Sequence, residues 1–210
     1  MYRDDRGLRV TAVRPMNAYG PGQSAPTPYG PSKVRKIVPS FVCSALSNKP
    51  MPLYGGGVQV SDAVYVKDVA ETFVIALEHA ANGNVPDYPI DVGNVEPTTV
   101  LDVANAIAEI VPMAYIEEIP MRAGEPFGGP LDAPYLITPV VESVLAAAPT
   151  LPPIKVRRNV KQLGTAVYAD TETLKFLGID ANTFTSLETG IGITVDWFRE
   201  NEGVTWRSPN

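Results

Sequence analysis

The residue types that form disulfides and zinc sites are scarce, since the 210 residues include one cysteine, Cys43, and one histidine, His79. A single cysteine excludes a disulfide within the chain, and this pair disfavours a zinc site of the usual kind. No apolar run approaches the roughly 20 residues of a membrane helix, and the first residues lack the apolar core of a signal peptide. We therefore expect a cytoplasmic protein with no metal and no membrane partner.

Basic runs are also lacking. The formal charge is −6, and the isoelectric point is about 4.8. Nucleic-acid binders and proteins that bind anionic membranes carry basic patches, so the composition argues against both classes, while local arginines could still bind a small anion. Hydrophobic residues make up 45% of the chain, which is enough for one ordinary globular domain or two small ones.

The segment Leu8 to Gln23 carries the clearest sequence signal. Val10 to Val13 form an apolar run without polar alternation, which predicts a parallel strand buried on both faces. Proline and glycine then open a loop that contains Asn17. Because ligands of open α/β sheets bind where strands pass into loops, Asn17 is a candidate ligand contact. An ordinary turn role for this asparagine is equally compatible with the sequence.

Strands and helices alternate through most of the chain, which predicts an α/β fold. Helix residues 69–80 should carry their inner side chains at Val69, Phe73, Val74, Ala76 and Leu77. The proline-rich residues 126–161 are expected to form a long loop, an excursion from the fold rather than a separate domain. The other expected elements are a helix over 32–47 bent near Pro39, strands at 51–54, 63–66, 89–93, 114–119 and 167–169, and helices capped by Asp68, Thr98 or Thr99, Asp170 and Ser186.

An ordered set of short motifs resembles the carboxy-terminal half of the extended short-chain dehydrogenase/reductase family, the NAD-dependent nucleotide-sugar epimerases and dehydratases. The segment from Arg14 to Gly22 is similar to the family's Arg-Pro-x-Asn-x-Tyr-Gly-Pro motif. Each later match is weak alone, but together they keep the family's order: Ile37-Val38-Pro39, Pro52-Leu53-Tyr54-Gly55, Asp62 to Val69, Val92-Gly93, Arg122-Ala123-Gly124-Glu125, Ala169-Asp170, Leu177-Gly178 and Thr194 to Phe198.

The resemblance implies roles for individual residues. It places the backbone of Pro15 and Met16 against the nicotinamide of NAD, and it lets Arg122 contact the diphosphate through its planar guanidinium. A surface ion pair with Glu125 is the alternative role for Arg122. The full set of implied substrate-binding residues is Asn17, Lys36, Pro39, Leu53, Tyr54 and Arg122.

Departures from the family pattern bear on activity. Ser61 stands where the family usually has an arginine, and Asp91 stands where asparagine is common, so the two changes are expected to weaken nucleotide binding or to redirect its specificity. The family's glycine-rich fingerprint and its Ser with Tyr-x-x-x-Lys set lie upstream of the Arg14 segment. Tyr29 and Lys33 have that spacing, but they follow Asn17 and surround Pro31, so we assign no catalytic residue to this chain.

We therefore predict a partial Rossmann-type sheet with a small mixed α/β substrate-binding domain. Residues 1–23 and about 86–111 would contribute to the incomplete cofactor sheet. Catalysis would need an N-terminal cofactor-binding half supplied by a partner protein or by self-association, and NAD would bind only with that half. The alternatives are a non-catalytic binding or structural remnant and a fragment of a longer enzyme.

Overall fold

The computed structural model describes residues 6–60, 62–121, 129–130, 162–163 and 169–209. These residues form short strands and longer helices in alternation. The strands are β1 (Val13–Pro15), β2 (Ala18–Tyr19), β3 (Met51–Tyr54), β4 (Val64–Tyr65), β5 (Ile90–Val92), β6 (Ile116–Ile119), β7 (Gly129–Pro130) and β8 (Gln162–Leu163). The helices are α1 (Ile37–Leu46), α2 (Val66–Ala81), α3 (Val100–Ile110) and α4 (Leu187–Glu200), with 3-10 turns at Gly55–Gly57, Thr171–Leu177 and Ala181–Thr183.

Parallel pairing dominates the described strands, which confirms the predicted α/β class. β1 pairs with β5, β2 with β4, and β3 with β6, all in parallel, whereas β7 and β8 are antiparallel. Each parallel pair is joined through a helix, as parallel connections require. The carboxyl ends of β1 and β5 coincide, because Pro15 lies opposite Val92.

The buried apolar side chains form two clusters. The first cluster lies where α1, α3 and α4 pack around β3, and its largest fully buried members include Phe198, Met51, Leu53 and Ile107. The second cluster joins β1, β4 and β5 to α2 and the turn Thr171–Leu177, through Val64, Ile90, Val92 and Leu174. The candidate site described below lies beside the first cluster.

The helix predicted over 32–47 begins later, at Ile37, and it needs no bend at Pro39. Pro39 is the third helical residue, where its missing N–H is not required as a donor, so proline fits the first turn. Residues 32–36 instead belong to the loop that leads into α1, with Lys36 at the N-cap position. The predicted boundary was wrong because proline acts here as a start signal.

The N-terminus of α2 also differs from the prediction. The helix starts at Val66 with Tyr65 at the N-cap, so Asp68 lies inside the first turn and is not the cap. The Asp68 carboxylate accepts hydrogen bonds from the backbone N–H of Thr185 at 2.9 Å and from its hydroxyl at 3.1 Å. Asp68 therefore has a structural role, which is to link α2 to the segment before α4 and not to cap the helix.

Helix α2 has two apolar faces, whereas the sequence analysis assigned one. Val69 and Ala76 are buried as predicted, but Phe73 is 48% exposed and Leu77 is 71% exposed. Ala70, Val74 and Ala81 complete this outer apolar face. The prediction was wrong because helical spacing shows that apolar residues align without showing which of two faces is covered.

The opening strand is shorter and more exposed than predicted. β1 begins at Val13, while Leu8 is 50% exposed and Val10 is 52% exposed. Among the described residues, β1 pairs with β5 along one edge and has no partner along the other. A strand paired on one side leaves its second edge and neighbouring side chains open, which accounts for the exposure.

The helix caps were largely predictable. The Thr99 side chain caps α3 and forms a capping box with Asp102, and the Ser186 side chain caps α4. Gly178 ends the turn Thr171–Leu177 with φ of 70°, as expected of a left-handed terminus. Asp170 holds the predicted position, but its side chain makes no cap and the segment is a 3-10 turn. None of the helices in the described ranges is both long and apolar enough to cross a membrane.

Candidate functional site

A cavity opens where the loops after β1 and β2 meet the beginning of α1. Its lining combines polar and cationic residues with apolar ones, and none of its lining residues is acidic. The lining residues are Asn17, Ala18, Tyr19, Gln23, Arg35, Lys36, Ile37, Val38 and Ala63. Two of the substrate-binding residues implied by the resemblance, Asn17 and Lys36, therefore line one cavity.

The beginning of α1 gives this cavity its positive character. Lys36 is the N-cap residue, no side chain caps the helix, and the first turn contains no acidic residue. The first backbone N–H groups of a helix lack intrahelical acceptors and carry a partial positive charge, which favours an anion. Arg35 adds a second cation beside Lys36. The sequence analysis did not identify Arg35, because it placed this basic residue inside a helix predicted to begin at residue 32, whereas the helix begins at Ile37.

Backbone pairing fixes the wall that carries Asn17. The Asn17 carbonyl accepts a hydrogen bond from Val64 N at 3.4 Å, next to the β2–β4 ladder. Tyr19 packs edge-on against Tyr65 and donates its hydroxyl to the Leu187 carbonyl at 3.4 Å. Burial raises the pKa of Tyr19, which keeps the phenol protonated at neutral pH. Tyr19 therefore anchors this wall.

Asp62 secures the loop that precedes β4 on the other side of the wall. Its carboxylate is fully buried and accepts hydrogen bonds from Asn94 N at 2.9 Å and Ala169 N at 2.8 Å. Burial raises the pKa of Asp62, while these N–H donors act in the opposite direction. The next residue, Ala63, lines the cavity, so Asp62 links this segment to those of Asn94 and Ala169.

Residues 47–50 connect α1 to β3, and β3 packs against α1. Tyr54 ends β3 half-buried, and Met121 packs against Gly55, where an added Cβ would lie 2.4 Å from Met121 Cε. Met121, the residue before Arg122, therefore lies at the end of β3.

The other predicted site residues have different environments. Pro39 is buried within α1, and the side chain of Leu53 is 1% exposed in the first cluster. Arg122 and Ser61 lie outside the described residues. Pro15 is exposed at the end of β1, and the backbone N–H of Met16 donates to Val92 O at 2.9 Å. The substrate and cofactor roles of these residues stay predictions.

Asp91 does not add free negative charge to the cavity, contrary to the expectation from sequence. Arg14 donates to its carboxylate from Nε at 2.7 Å and from Nη2 at 3.0 Å, across the β1–β5 pair. The hydrogen bond and the charge of Asp91 raise the pKa of Arg14. The sequence could not reveal this pairing, because it depends on β1 and β5 being neighbours in register.

Two further clefts among the described residues are acidic. One contains Asp91, Asp170 and Glu172, with Arg14 as its cation, and the Arg14 guanidinium already binds Asp91. The second contains the carboxylates of Glu96, Asp102, Glu109 and Glu188. Carboxylates repel phosphate groups, so charge makes the Asn17 cavity the better site for an anionic ligand.

The Tyr-x-x-x-Lys spacing at Tyr29 and Lys33 does not form a catalytic pair. Neither residue is in a helix, and the Tyr29 hydroxyl lies 3.1 Å from Ser44 Oγ. Tyr29 also accepts a hydrogen bond from Arg207 N through its carbonyl. Its contacts therefore link the loop after β2 to α1 and to the C-terminal segment.

Comparison with known proteins connects this geometry to a family. Residues 1–93 match the model of the NAD dependent epimerase/dehydratase family. A trifunctional UDP-glucose 4,6-dehydratase/UDP-4-keto-6-deoxy-D-glucose 3,5-epimerase/UDP-4-keto-L-rhamnose-reductase of Arabidopsis thaliana is 33% identical over 109 residues, which are 52% of this chain and 14% of that protein. A dTDP-4-dehydro-6-deoxy-D-allose reductase of Streptomyces bikiniensis is 28% identical over 62% of this chain and 36% of its own length.

Solved structures of similar fold span about twice the length of this chain. The Bordetella bronchiseptica enzyme WbmF in complex with NAD+ and UDP superposes with a TM-score of 0.62 at 22% identity, covering 95% of this chain and 48% of WbmF. UDP-glucuronic acid 4-epimerase from Bacillus cereus, in complex with UDP-glucuronic acid and NAD, gives a TM-score of 0.61 at 17% identity with the same coverage. Residues 1–93 thus match the NAD-dependent epimerase/dehydratase family, and the described fold is the Rossmann-like α/β fold of these solved structures.

Proposed function

We propose that this chain is the nucleotide-sugar-binding part of an NAD-dependent epimerase or dehydratase. The observation that carries the proposal is the cavity at the beginning of α1, which Asn17, Arg35 and Lys36 line and where no side chain caps the helix. This donor set suits a diphosphate, because charged donors and helix N-termini bind phosphate oxygens strongly. The relatives whose names include UDP- or dTDP-linked sugars support a nucleoside-diphosphate sugar as the ligand.

In this proposal the nucleotide extends from the cavity towards the end of β3. Tyr54 lies at that end, and Met121 packs there against Gly55. Tyr54 would pack beside the nucleotide, and Arg122, the next residue after Met121, would contact the diphosphate. Pro39 and Leu53 would support the site from the core, since both side chains are buried.

Catalysis would require a cofactor-binding half with its own Ser and Tyr-x-x-x-Lys set. Among the described residues, one edge of β1 has no partner strand and the outer face of α2 is exposed. Both features support this part of the proposal, because a strand and a helix of another segment could cover them. NAD, when bound, supplies hydride transfer. The exposed Pro15 and the tied backbone of Met16 form a rigid strand end that fits the nicotinamide side.

Titration calorimetry with UDP-glucose and dTDP-glucose tests the binding proposal. The wild-type chain should bind at least one of them, and the double variant Arg35→Met with Lys36→Met should bind about 10- to 100-fold more weakly, because two charged donors are lost. Lys49→Met is the matched control, since Lys49 is an exposed cation just beyond the far end of α1. Equal binding by both variants would overturn the proposal.

Co-expression with the cofactor-binding half of a related epimerase tests the second part. We expect a stable complex that binds NAD and converts a nucleotide sugar. Binding of the nucleotide sugar without any conversion by the complex would support the non-catalytic alternative. Conversion of a nucleotide sugar by this chain alone with NAD would refute the need for a separately supplied half.

A further inference from the structure

The segment after α4 folds back onto the end of that helix. Trp206 is 2% exposed, its ring packs edge-on against Phe198, and its Nε1 donates to the Phe198 carbonyl at 2.6 Å. Gly203 closes the turn, with φ of 80° and with its N–H donating to the Trp206 carbonyl at 2.7 Å. A buried tryptophan whose N–H is paired is held in one place, so the residue after Trp206 has a set position.

Arg207, that next residue, links this segment to the loop after β2. Its backbone N–H donates to the Tyr29 carbonyl at 2.9 Å. The Tyr29 hydroxyl lies 3.1 Å from Ser44 Oγ on α1. The backbone of Tyr29 is therefore held by the C-terminal segment and its side chain by α1. The Arg207 side chain is exposed, so the backbone N–H is the part of this residue that forms the link.

The loop after β2 is closed over residues 25–32 and leads directly to the cavity. Ser32 N donates to the Ala25 carbonyl at 3.2 Å, which brings the two ends of the loop together. The Ser32 hydroxyl donates to the Val34 carbonyl at 3.0 Å, so the loop is also tied to the chain beyond it. Arg35 comes next and lines the cavity. The position of the closed loop therefore affects the position of this cation.

We propose that Arg207 is a positioning residue for the ligand: its backbone N–H, held in place by Trp206, fixes the loop that leads to Arg35. The inference rests on the proposed function, which assigns the diphosphate to Arg35 and Lys36. Neither Trp206 nor Arg207 lines the cavity, so their effect on binding acts through Tyr29. A loop that is already held in place costs less to order when the ligand binds, so this contact raises the affinity.

Substitutions at Arg207 separate the backbone contact from the side chain. Arg207→Pro removes the N–H that binds the Tyr29 carbonyl, whereas Arg207→Ala removes the side chain and its charge but retains that N–H. Calorimetry should use UDP, or dTDP where that nucleotide binds the wild-type chain more tightly. We expect the nucleotide to bind Arg207→Pro about three- to tenfold more weakly than the wild-type chain and Arg207→Ala within about twofold of it.

Two controls distinguish positioning from general stability. Ser208→Pro tests the stiffness of proline alone, because the Ser208 N–H donates to no backbone carbonyl among the described residues, and it should bind the nucleotide like the wild-type chain. All affinities are measured at a temperature where thermal unfolding shows each variant to be folded. A contact with only a structural role would lower the unfolding temperature of Arg207→Pro without changing the affinity of the folded chain.

Hydrogen exchange follows the same contact in the wild-type chain. If the contact strengthens nucleotide binding, the nucleotide must strengthen the contact by the same factor, because coupling between two equilibria is reciprocal. Saturation with the nucleotide should therefore slow exchange of the Arg207 N–H about three- to tenfold. The Thr183 N–H, which donates to the Asp180 carbonyl at 3.0 Å in a turn beside the second cluster, is the control and should exchange at an unchanged rate.

The outcomes separate this inference from the proposed function. If the nucleotide binds Arg207→Pro as tightly as the wild-type chain, or if Arg207→Ala loses as much affinity as Arg207→Pro, the inference is wrong and the proposed function stands. Unchanged exchange at Arg207 has the same meaning, and this measurement decides the question even if Arg207→Pro does not fold. If the wild-type chain binds neither nucleotide, both are wrong.

Discussion

The first and second apolar clusters differ in how completely their helices are covered. In the first cluster, α1, α3 and α4 surround β3 and bury their large apolar residues, including Phe198 and Ile107. In the second cluster, α2 buries Val69 and Ala76 on one face and exposes Phe73 and Leu77 on the other. A monomeric protein rarely presents a continuous apolar stripe of this kind without a partner.

This difference separates the parts of the proposed enzyme. The cationic cavity lies beside the closed first cluster, and hydrogen bonds of Asp62 and Tyr19 connect its walls to other segments. The edge of β1 that has no partner among the described residues belongs to the second cluster, with Pro15 at its end. Ligand binding is therefore expected of the chain itself, whereas cofactor chemistry is expected to need the surface that the second cluster leaves open.

A matched pair of phenylalanine truncations gives the largest expected contrast between the clusters. Phe198→Ala should lower the free energy of unfolding by about 3–5 kcal/mol, since it removes a fully buried ring from the first cluster. Phe73→Ala should cost less than about 1 kcal/mol, because this ring is 48% exposed. Urea unfolding of both variants measures the difference. Equal costs would show that the outer face of α2 is covered in solution.

Removal of the Asp62 carboxylate should produce the next largest effect. Asp62→Ala leaves the N–H groups of Asn94 and Ala169 without their acceptor, and we expect a loss of about 2–4 kcal/mol in the free energy of unfolding. Asp180→Ala is the control, because Asp180 also accepts from a backbone N–H but is exposed, and its loss should be clearly smaller. Unfolding midpoints in urea compare the two, and a larger loss for Asp180→Ala would contradict the role given to Asp62.

The pH dependence of stability should report the burial of the same carboxylate. Burial raises the pKa of Asp62 in the folded state, so above the ordinary Asp pKa of about 4 the folded chain retains a proton that the unfolded chain has lost. Stability due to Asp62 is therefore greatest below this pH and falls as pH rises through the raised pKa. The free energy of unfolding of the wild-type chain, minus that of Asp62→Asn, should therefore decrease as pH rises. A difference that increases with pH would contradict this prediction.

The cap of α3 should contribute the smallest of these effects. Thr99→Ala removes the capping-box acceptor of Asp102 N and should cost about 1 kcal/mol of unfolding free energy. Thermal unfolding with and without a bound nucleotide would measure this loss. An unchanged unfolding temperature would mean that the capping box contributes nothing to stability.

Sequence reasoning was most successful where the signal was local. The caps at Thr99 and Ser186 and the turn at Gly178 depend on residues within one turn of each other, so they could be predicted. The α/β class followed from alternating strands and helices. Asn17 and Lys36 were identified through the family resemblance, and the structure brings them to one cavity.

The failures share a cause, which is that they depend on distant neighbours. The exposure of Val10 and Phe73 depends on what covers β1 and α2, and apolar periodicity does not contain that information. The neutralisation of Asp91 by Arg14 requires the β1–β5 register, and the contact of Asp68 with Thr185 spans more than half the chain. Arg35 was missed because its importance depends on the uncapped beginning of α1.

The most direct test of the account is to map UDP binding by amide chemical shifts on the isotope-labelled chain. We predict that the largest shifts occur at Asn17, Gln23 and the backbone N–H groups of residues 35–38, with little change along α2 or at the Arg14–Asp91 pair. Shifts concentrated in the second cluster, or no shifts at millimolar UDP, would contradict the claim that the cationic cavity binds the nucleotide.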